Sequence, residues 1–295
     1  MDYIARAKKF RAKKNLGQNF LVSWDAINTI IEGANISEDD TVLEIGAGLG
    51  FMTEQLAAKA KKVYAVEIDK AAIEELKKLP FDNIEIIEQD ILKTDVFSYA
   101  PEDKKLKIIA NIPYYITSPI LAHLLGEIDD KENKNRNAID EIFLMVQYEV
   151  ARRICATPKN KNKEYGSLSI LCNFYSDSEY VKKVGARCFF PAPKVDSAIV
   201  KITPQKEEKY TVEDKKLLRK VVSAAFQARR KTFKNALLLA SFPRNTVEQL
   251  FKNLNLDSTV RGETLSIEEF CKITDELKKL APLINGWKQE KNTVL

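Results

Sequence analysis

Residues 106–115 read Leu-Lys-Ile-Ile-Ala-Asn-Ile-Pro-Tyr-Tyr, and the fold turns on them. An apolar run meets Asn111, then a proline and two aromatics. Such a run predicts a buried strand that ends at Asn111. Pro113 donates nothing to a ladder and fixes its own φ, so the chain leaves the sheet in a set direction. The Asn111 amide, the Ile112 carbonyl and the Tyr114 ring then gather at the carboxyl end of a strand. In open α/β sheets ligands bind there. Two acceptors beside an aromatic platform suit a flat base with an exocyclic amine. A strand end, a proline turn and core tyrosines account for the same letters, so the stretch needs its context.

Upstream, Thr41–Ile45 is a short β-branched and apolar strand that enters Gly46-Ala47-Gly48-Leu49-Gly50 and then a helix to about Ala60. A glycine-rich strand-to-helix turn lets backbone amides approach a ligand closely. The spacing is G-x-G-x-G, and Phe51 stands where a dinucleotide fingerprint needs its third glycine. Val63–Val66 is the next strand, ending at Glu67. An acid about 20 residues after such a turn is placed to hold ribose hydroxyls. Asp69 competes for that role, but it precedes the helical stretch 70–79 and reads as its N-cap. Glu67 is then free for a ribose. Ile84–Ile87 is a third strand, with Gln89 and Asp90 at its end. Asp90 suits the amine of an adenine, and it equally suits an Asx turn or cap.

Downstream, the pattern predicts a helix over Ser118 to about Gly126, with His123 in its apolar run. Residues 129–137 read as a solvated polar loop. Ile139–Val146 is a fifth strand, and a helix follows over 148–156. A charged loop over 157–164 and an apolar helix from Gly166-Ser167 to Phe174 come next. Two late strands, 179–185 and 196–202, flank Phe189-Phe190-Pro191-Ala192-Pro193, a rigid extended support for an aromatic. Strands alternating with helices, closed by two consecutive strands, indicate a doubly wound sheet. After Pro204 the pattern turns helical. Apolar residues at 217, 218, 221, 222 and 225 form one stripe, and Ser266 with Glu269 makes a capping box.

Charge is unevenly spread. Residues 1–16 carry six Lys/Arg against one Asp, residues 17–206 carry 24 against 29 acids, and residues 207–295 carry 17 against 12. Two basic ends around a mildly acidic centre favour a polyanion such as nucleic acid. The first end, residues 1–16, is a basic arm whose first 14 residues read as mobile. Lys215 to Lys234 holds eight basic residues and no acid (Lys215, Lys216, Arg219, Lys220, Arg229, Arg230, Lys231 and Lys234), a phosphate-contacting surface. Scattered cysteines without a CxxC pair, and a single histidine, argue against a metal site or disulfide framework and fit a reducing compartment. No apolar run approaches the ~18 residues of a membrane span.

These residues together resemble the KsgA-type ribosomal RNA adenine dimethyltransferases, S-adenosylmethionine-dependent enzymes of the small ribosomal subunit. The resemblance spans nearly the whole chain. It rests on Gly17-Gln18-Asn19-Phe20-Leu21, Glu44 through Gly50, Glu67, Gln89-Asp90, Asn111-Ile112-Pro113-Tyr114, Tyr165 through Ser169, Phe189 through Ser197, and Ala225-Phe226 with Arg229-Arg230-Lys231. Ala47 and Tyr148 depart from the family pattern, where Pro and Lys are frequent. Neither position is assigned to the chemistry.

The resemblance implies a Rossmann-like, seven-stranded methyltransferase sheet over 1–206 and a smaller all-α RNA-binding domain over 207–295. It implies that Asn19 and Leu21 help enclose S-adenosylmethionine. Gly46 contacts its methionine part, Glu67 its ribose and Asp90 its adenine, with Gly48 and Asn111 further cofactor contacts; S-adenosylhomocysteine is the product. Asn111 lies between cofactor and target, with Ile112, Pro113 and Tyr114 beside it. Beyond the resemblance, the expectation is that Tyr114 stacks on one face of the base and Phe189 on the other. Arg219, Lys220, Arg229, Arg230, Lys231 and Lys234 are the expected RNA contacts. The expected partner is the small ribosomal subunit and its RNA, met by a cytoplasmic monomer with no membrane and no metal. Three rivals remain: a large-subunit methyltransferase of the antibiotic-resistance type, an assembly factor whose catalysis is secondary, and an NAD dehydrogenase, which Phe51 disfavours.

Overall fold

The structure, a computed structural model, describes residues 2–158, 164–205 and 207–280. The charged loop expected over 157–164 falls mostly outside these residues, as does the end of the C-terminal domain, 281–295. In chain order the first elements are α1 (Tyr3–Lys9), β1 (Phe20–Leu21), α2 (Trp24–Gly33), β2 (Thr41–Ile45), α3 (Phe51–Ala57), β3 (Lys62–Glu67), α4 (Lys70–Leu76) and β4 (Ile84–Glu88). Then come β5 (Leu106–Asn111), α5 (Thr117–Leu125), α6 (Lys134–Ala138), β6 (Ile139–Gln147), α7 (Tyr148–Ile154), α8 (Ser167–Phe174), β7 (Ser176–Val184), β8 (Phe189–Phe190) and β9 (Ser197–Pro204). Among the described residues four α-helices follow: α9 (Lys215–Gln227), α10 (Phe233–Leu239), α11 (Arg244–Asn253) and α12 (Ile267–Leu280).

Chain contacts divide the protein into two compact units. One comprises 1–155 and 171–207, the other 156–170 and 208–295. In the first unit seven strands form one sheet in the order β4-β3-β2-β5-β6-β9-β7. The five strands from β4 to β6 are parallel, and β9 runs antiparallel to both β6 and β7. Parallel strands covered on both faces read as continuous apolar runs, and β5 buries Leu106, Ile108, Ile109 and Ala110. All seven expected strands are present, with ends moved by a few residues. The chain steps outward from β2 to β3 and β4, then returns to β5 on the other side of β2. That reversal opens the crevice in which doubly wound sheets take ligands.

The helix starts follow cap chemistry. Ser23 accepts from the Ala26 N–H, and Asp69 from the Ala71 N–H. In the second unit Ser266 and Glu269 bond each other's backbone N–H groups at 2.7 and 3.2 Å, the expected capping box. The core of that unit joins Leu218 and Val221 of α9, Phe233 of α10, Leu250 of α11 and Phe270 of α12, all buried.

Three features differ from the sequence expectation. The N-terminal arm is not a mobile segment. Asp2 caps α1, Tyr3 and Ala7 are buried, and the Tyr3 ring stacks on Phe51 at 4.7 Å. Six positive charges concealed a pair of core-facing residues spaced i, i+4 on one helix face. The loop over 129–137 contains α6, and its Arg136 is only 6% exposed. The Arg136 guanidinium donates to the carbonyls of Leu125 and Lys131 at 2.7 and 2.8 Å and lies 3.7 Å from the centre of the Tyr175 ring. Several N–H donors in one planar group let a charged residue be buried where carbonyls take up its N–H bonds. Third, β1 and β8 make a two-stranded antiparallel pair with Phe20 opposite Phe190 and Leu21 opposite Phe189. Two residues are too few for a periodic signal.

Candidate active site

A cavity of about 320 Å³ opens at the carboxyl ends of β2, β3, β4 and β5. Its floor is the turn after β2. Gly46 and Gly48 have φ of +74° and +56°, a left-handed backbone that side-chain-bearing residues rarely adopt. A Cβ on Gly46 would meet the Asn111 carbonyl oxygen at 3.3 Å, and one on Gly48 the Phe20 ring at 3.1 Å. Both positions therefore bring backbone into the cavity at a place where a side chain would be strained.

The acid at the end of β3 is the hub of the wall. Glu67 is 8% exposed. Its Oε2 accepts the Gly48 N–H, while Oε1 accepts those of Ile68 and Asp69, all at 2.8 Å. A carboxylate has about four acceptor sites, so three amides leave room for one more donor from the cavity. Asp90, at the end of β4, uses Oδ1 to accept the Leu92 N–H at 3.0 Å and so caps the turn after the strand. Both alternatives stated for Asp90 are compatible with this place: it makes the cap, and it lines the cavity.

Asn111 ends β5 and its side chain reaches the cavity. Its Nδ2 donates to the Asn19 carbonyl at 3.3 Å, which orients the amide and leaves Oδ1 without a protein donor among the described residues. The Ile112 carbonyl follows one residue past the strand. Tyr114 is half-buried, and its hydroxyl shares a 2.6 Å hydrogen bond with the Ser197 hydroxyl. Burial pushes the Tyr114 phenol above its ordinary value, and the bond to Ser197 opposes that rise. The phenol is a neutral donor or acceptor here, not an anion.

The cavity thus gathers Asn19, Gly46, Gly48, Glu67, Asp90, Asn111, Ile112, Pro113 and Tyr114. It does not gather Leu21 or Phe189. These are 5% and 3% exposed and sit opposite each other in the β1–β8 pair, inside the core cluster. In this conformation the Phe189 ring offers no open face to a base. Sequence reasoning missed Leu16, Ile68, Leu92 and Tyr115, which also line the cavity. Ile68 and Tyr115 are 55% and 64% exposed. The available signal was an apolar residue wedged between Glu67 and Asp69, where the chain has already left the sheet. His123 lies outside the lining and is 2.9 Å from the Thr94 carbonyl through Nε2. Among the described residues no cluster of His, Cys, Asp or Glu is arranged to hold a metal.

In the helical unit the basic run is split among a helix, a turn and a second helix. Arg219 and Lys220 are exposed on α9. Arg230 and Lys231 are exposed in the turn, and half-buried Lys234 starts α10, 6.0 Å from the Phe251 ring. Arg229 donates to the Tyr165 carbonyl at 2.7 Å and lies 3.8 Å from a Glu263 oxygen.

Comparison with known proteins follows the same lines. The family model described as "Ribosomal RNA adenine dimethylase" matches residues 9–279. The "Ribosomal RNA small subunit methyltransferase A" of Clostridium botulinum (strain Loch Maree / Type A3) is 41% identical over 276 residues, covering 92% of this chain and 96% of that protein. Among solved structures, a dimethyladenosine transferase from Plasmodium falciparum superposes with a TM-score of 0.70 at 28% identity, over 89% of this chain and 98% of that one. The 23S rRNA methyltransferase ErmE gives 0.62 at 27% identity, over 88% and 100%.

Proposed function

The chain belongs to the ribosomal RNA adenine dimethylase family, and from that premise we propose how its own residues carry out the family's reaction. The protein is an S-adenosylmethionine-dependent methyltransferase that converts adenines of small-subunit ribosomal RNA to N6,N6-dimethyladenine during ribosome biogenesis. S-adenosylmethionine, when bound, supplies an electrophilic methyl group. The cavity fits it: a glycine floor for close backbone approach, one remaining acceptor position on Glu67 for a ribose hydroxyl, and Asp90 for an adenine amine.

The carrying observation is the Asn111 amide at the cavity, held by the Asn19 carbonyl, with Oδ1 accepting from no described residue. N6 of adenine is a poor nucleophile because its lone pair is delocalised into the ring. In the first transfer Asn111 Oδ1 and the Ile112 carbonyl accept the two N–H bonds of that amine; in the second, one of them accepts the single N–H that remains. They favour a pyramidal nitrogen and aim its lone pair at the methyl. With S-adenosylmethionine bound, an N–C bond would form as the methyl C–S bond breaks, and the methylated nitrogen would give up one proton to water. The acceleration comes from positioning and from acceptors already in place. The amine becomes acidic only after transfer, so no base of shifted pKa is required beforehand. The target base is extruded from its helix or loop to reach the cavity, and Tyr114 stacks on one face. Phe189, buried behind Leu21, serves as the second ring only if β8 moves; in its observed place it supports the wall. The exposed residues Arg219, Lys220, Arg230 and Lys231, with Arg229 and Lys234, contact phosphates. Our reading is of a cytoplasmic monomer; its four cysteines are all free, which fits a reducing compartment.

The test is transfer of labelled methyl from S-adenosylmethionine to undermethylated small subunits, with naked RNA, large subunits and Asn111→Ala alongside. Dimethyladenine on small subunits alone, lost in the variant, is the expected result. The likeness to a 23S rRNA methyltransferase makes large subunits the informative control. Label there overturns the small-subunit assignment. Tight binding without transfer overturns the enzyme reading in favour of an assembly factor.

A further inference from the structure

Asp69 does more than cap α4. Its side chain is wholly buried, 0% exposed. A cap needs a single acceptor, and the Ala71 N–H takes it at 3.0 Å. Two more donors arrive from the N-terminal segment: Lys13 Nζ on Oδ1 and Gln18 Nε2 on Oδ2, each at 2.7 Å. Gln18 Oε1 in turn accepts the Lys13 N–H at 2.7 Å, closing a ring of hydrogen bonds around residues 13–18. The Asp69 N–H donates to Glu67 Oε1. The buried Asp69 carboxylate therefore joins the N-terminal segment to the start of α4, and the backbone N–H of the same residue reaches the acid that holds Gly48.

The segment so held is a wall of the cavity, which Leu16, Gly17, Gln18 and Asn19 line. The other end of the segment is also fastened. Arg6 donates to Glu54 Oε2 at 3.1 Å and to the Leu49 carbonyl at 3.3 Å, and Phe10 meets Phe20 edge-on at 5.5 Å. Between these anchors the chain has no sheet partner of its own until β1. Burial raises the Asp69 carboxyl, but the bonds from Lys13 and Gln18 outweigh it, and the net shift is downward. The carboxylate is thus ionised at neutral pH, and removing Lys13 leaves a buried charge without its cation.

We propose that Lys13, Gln18 and Asp69 form a positioning clamp that sets the N-terminal wall of the cavity, and so govern affinity for S-adenosylmethionine rather than the methyl-transfer step. The inference rests on the cavity being the cofactor site. Lys13 and Asp69 act through Leu16–Asn19 and through Glu67; neither lines the cavity.

The test uses the full chain, with S-adenosylhomocysteine as the calorimetric probe and labelled methyl transfer for kinetics. Lys13→Met, Lys13→Arg, Asp69→Asn and the Lys13→Met/Asp69→Asn double variant are compared. Lys13 is 45% exposed, so its replacement leaves the chain folded. Lys13→Met raises Kd for the probe and KM for S-adenosylmethionine about tenfold or more, while kcat changes less than about threefold. Lys13→Arg recovers most of the affinity. The double variant binds about as weakly as Asp69→Asn alone, because the two residues share one interaction. Amide hydrogen exchange over residues 14–19 speeds up in Lys13→Met by more than the accompanying fall in melting temperature accounts for. Lys13→Met with unaltered Kd, KM and exchange overturns the clamp. So does a lower melting temperature with unaltered Kd, which reveals a purely structural link. Failure of the unaltered chain to bind the probe overturns the cofactor reading itself, and the clamp with it.

Discussion

Glu67 holds Gly48: its Oε2 accepts the Gly48 N–H at 2.8 Å, joining the end of β3 to the glycine turn after β2. Oε1 meanwhile takes two further amides. Glu67→Ala leaves three backbone donors without their acceptor, at about 1–3 kcal/mol for each one that water does not reach. Chemical denaturation will show the loss. Glu67→Gln keeps one acceptor oxygen but turns an NH2 group toward donors. It will be less destabilised than the alanine variant, and it will bind S-adenosylhomocysteine at least about tenfold more weakly than the parent, as read by calorimetry.

Glu44 carries a pH signature. It lies in the middle of β2, 3% exposed, and its Oε2 has no hydrogen-bond partner among the described residues. Burial pushes this carboxyl up to about 8 from an ordinary 4.5, and the negative charge of Glu67 adds to the rise. Between those two values the folded chain keeps a proton that the unfolded chain has released. Stability from this group is complete below the lower value and falls as pH rises toward the upper one, by at most about 1.4 kcal/mol per pH unit. Above it the contribution is flat. Glu44→Gln removes the slope. The difference between parent and variant in urea unfolding will therefore grow, in the variant's favour, from about pH 5 to about pH 8.

Arg229 and Arg230 are neighbours with different duties. Arg230 is exposed, whereas Arg229 is tied to the Tyr165 carbonyl within the helical unit. Arg230→Ala will leave the melting temperature unchanged. It will reduce the salt dependence of RNA binding by about one counterion in the slope of log K against log salt. Arg229→Ala will lower the melting temperature, since it strips a partner from a carbonyl that the fold relies on. Equal effects of the two variants on stability would contradict this division.

The site was legible where one residue type in one place does the work. Asn111 before a proline, glycines at a strand-to-helix turn and an acid after the next strand are each read from adjacent letters. Phe189 marks the limit. Its place in the FFPAPKVDS segment suggested an open ring, and the two-residue β1–β8 pair buries it against Leu21. That pairing joins residues far apart in the chain, and no local pattern specifies it. Asp69 shows the same limit in milder form. Its role as a cap was plain from the letters that follow it, but its bonds to Lys13 and Gln18 were not.

The sequence by itself determined the strands, their alternation with helices, the change to a helical region after Pro204, and the residues at the strand ends. These follow from periodicity, proline and glycine geometry and caps, all of which act within a few residues. Only the tertiary structure decided that the basic N-terminus is a docked helix, that residues 16–19 close one side of the cavity, and which charged residues are buried. Each of those outcomes depends on contacts between distant segments. A lysine or an arginine reads as solvated until a carboxylate or a set of carbonyls from elsewhere in the chain takes the place of water.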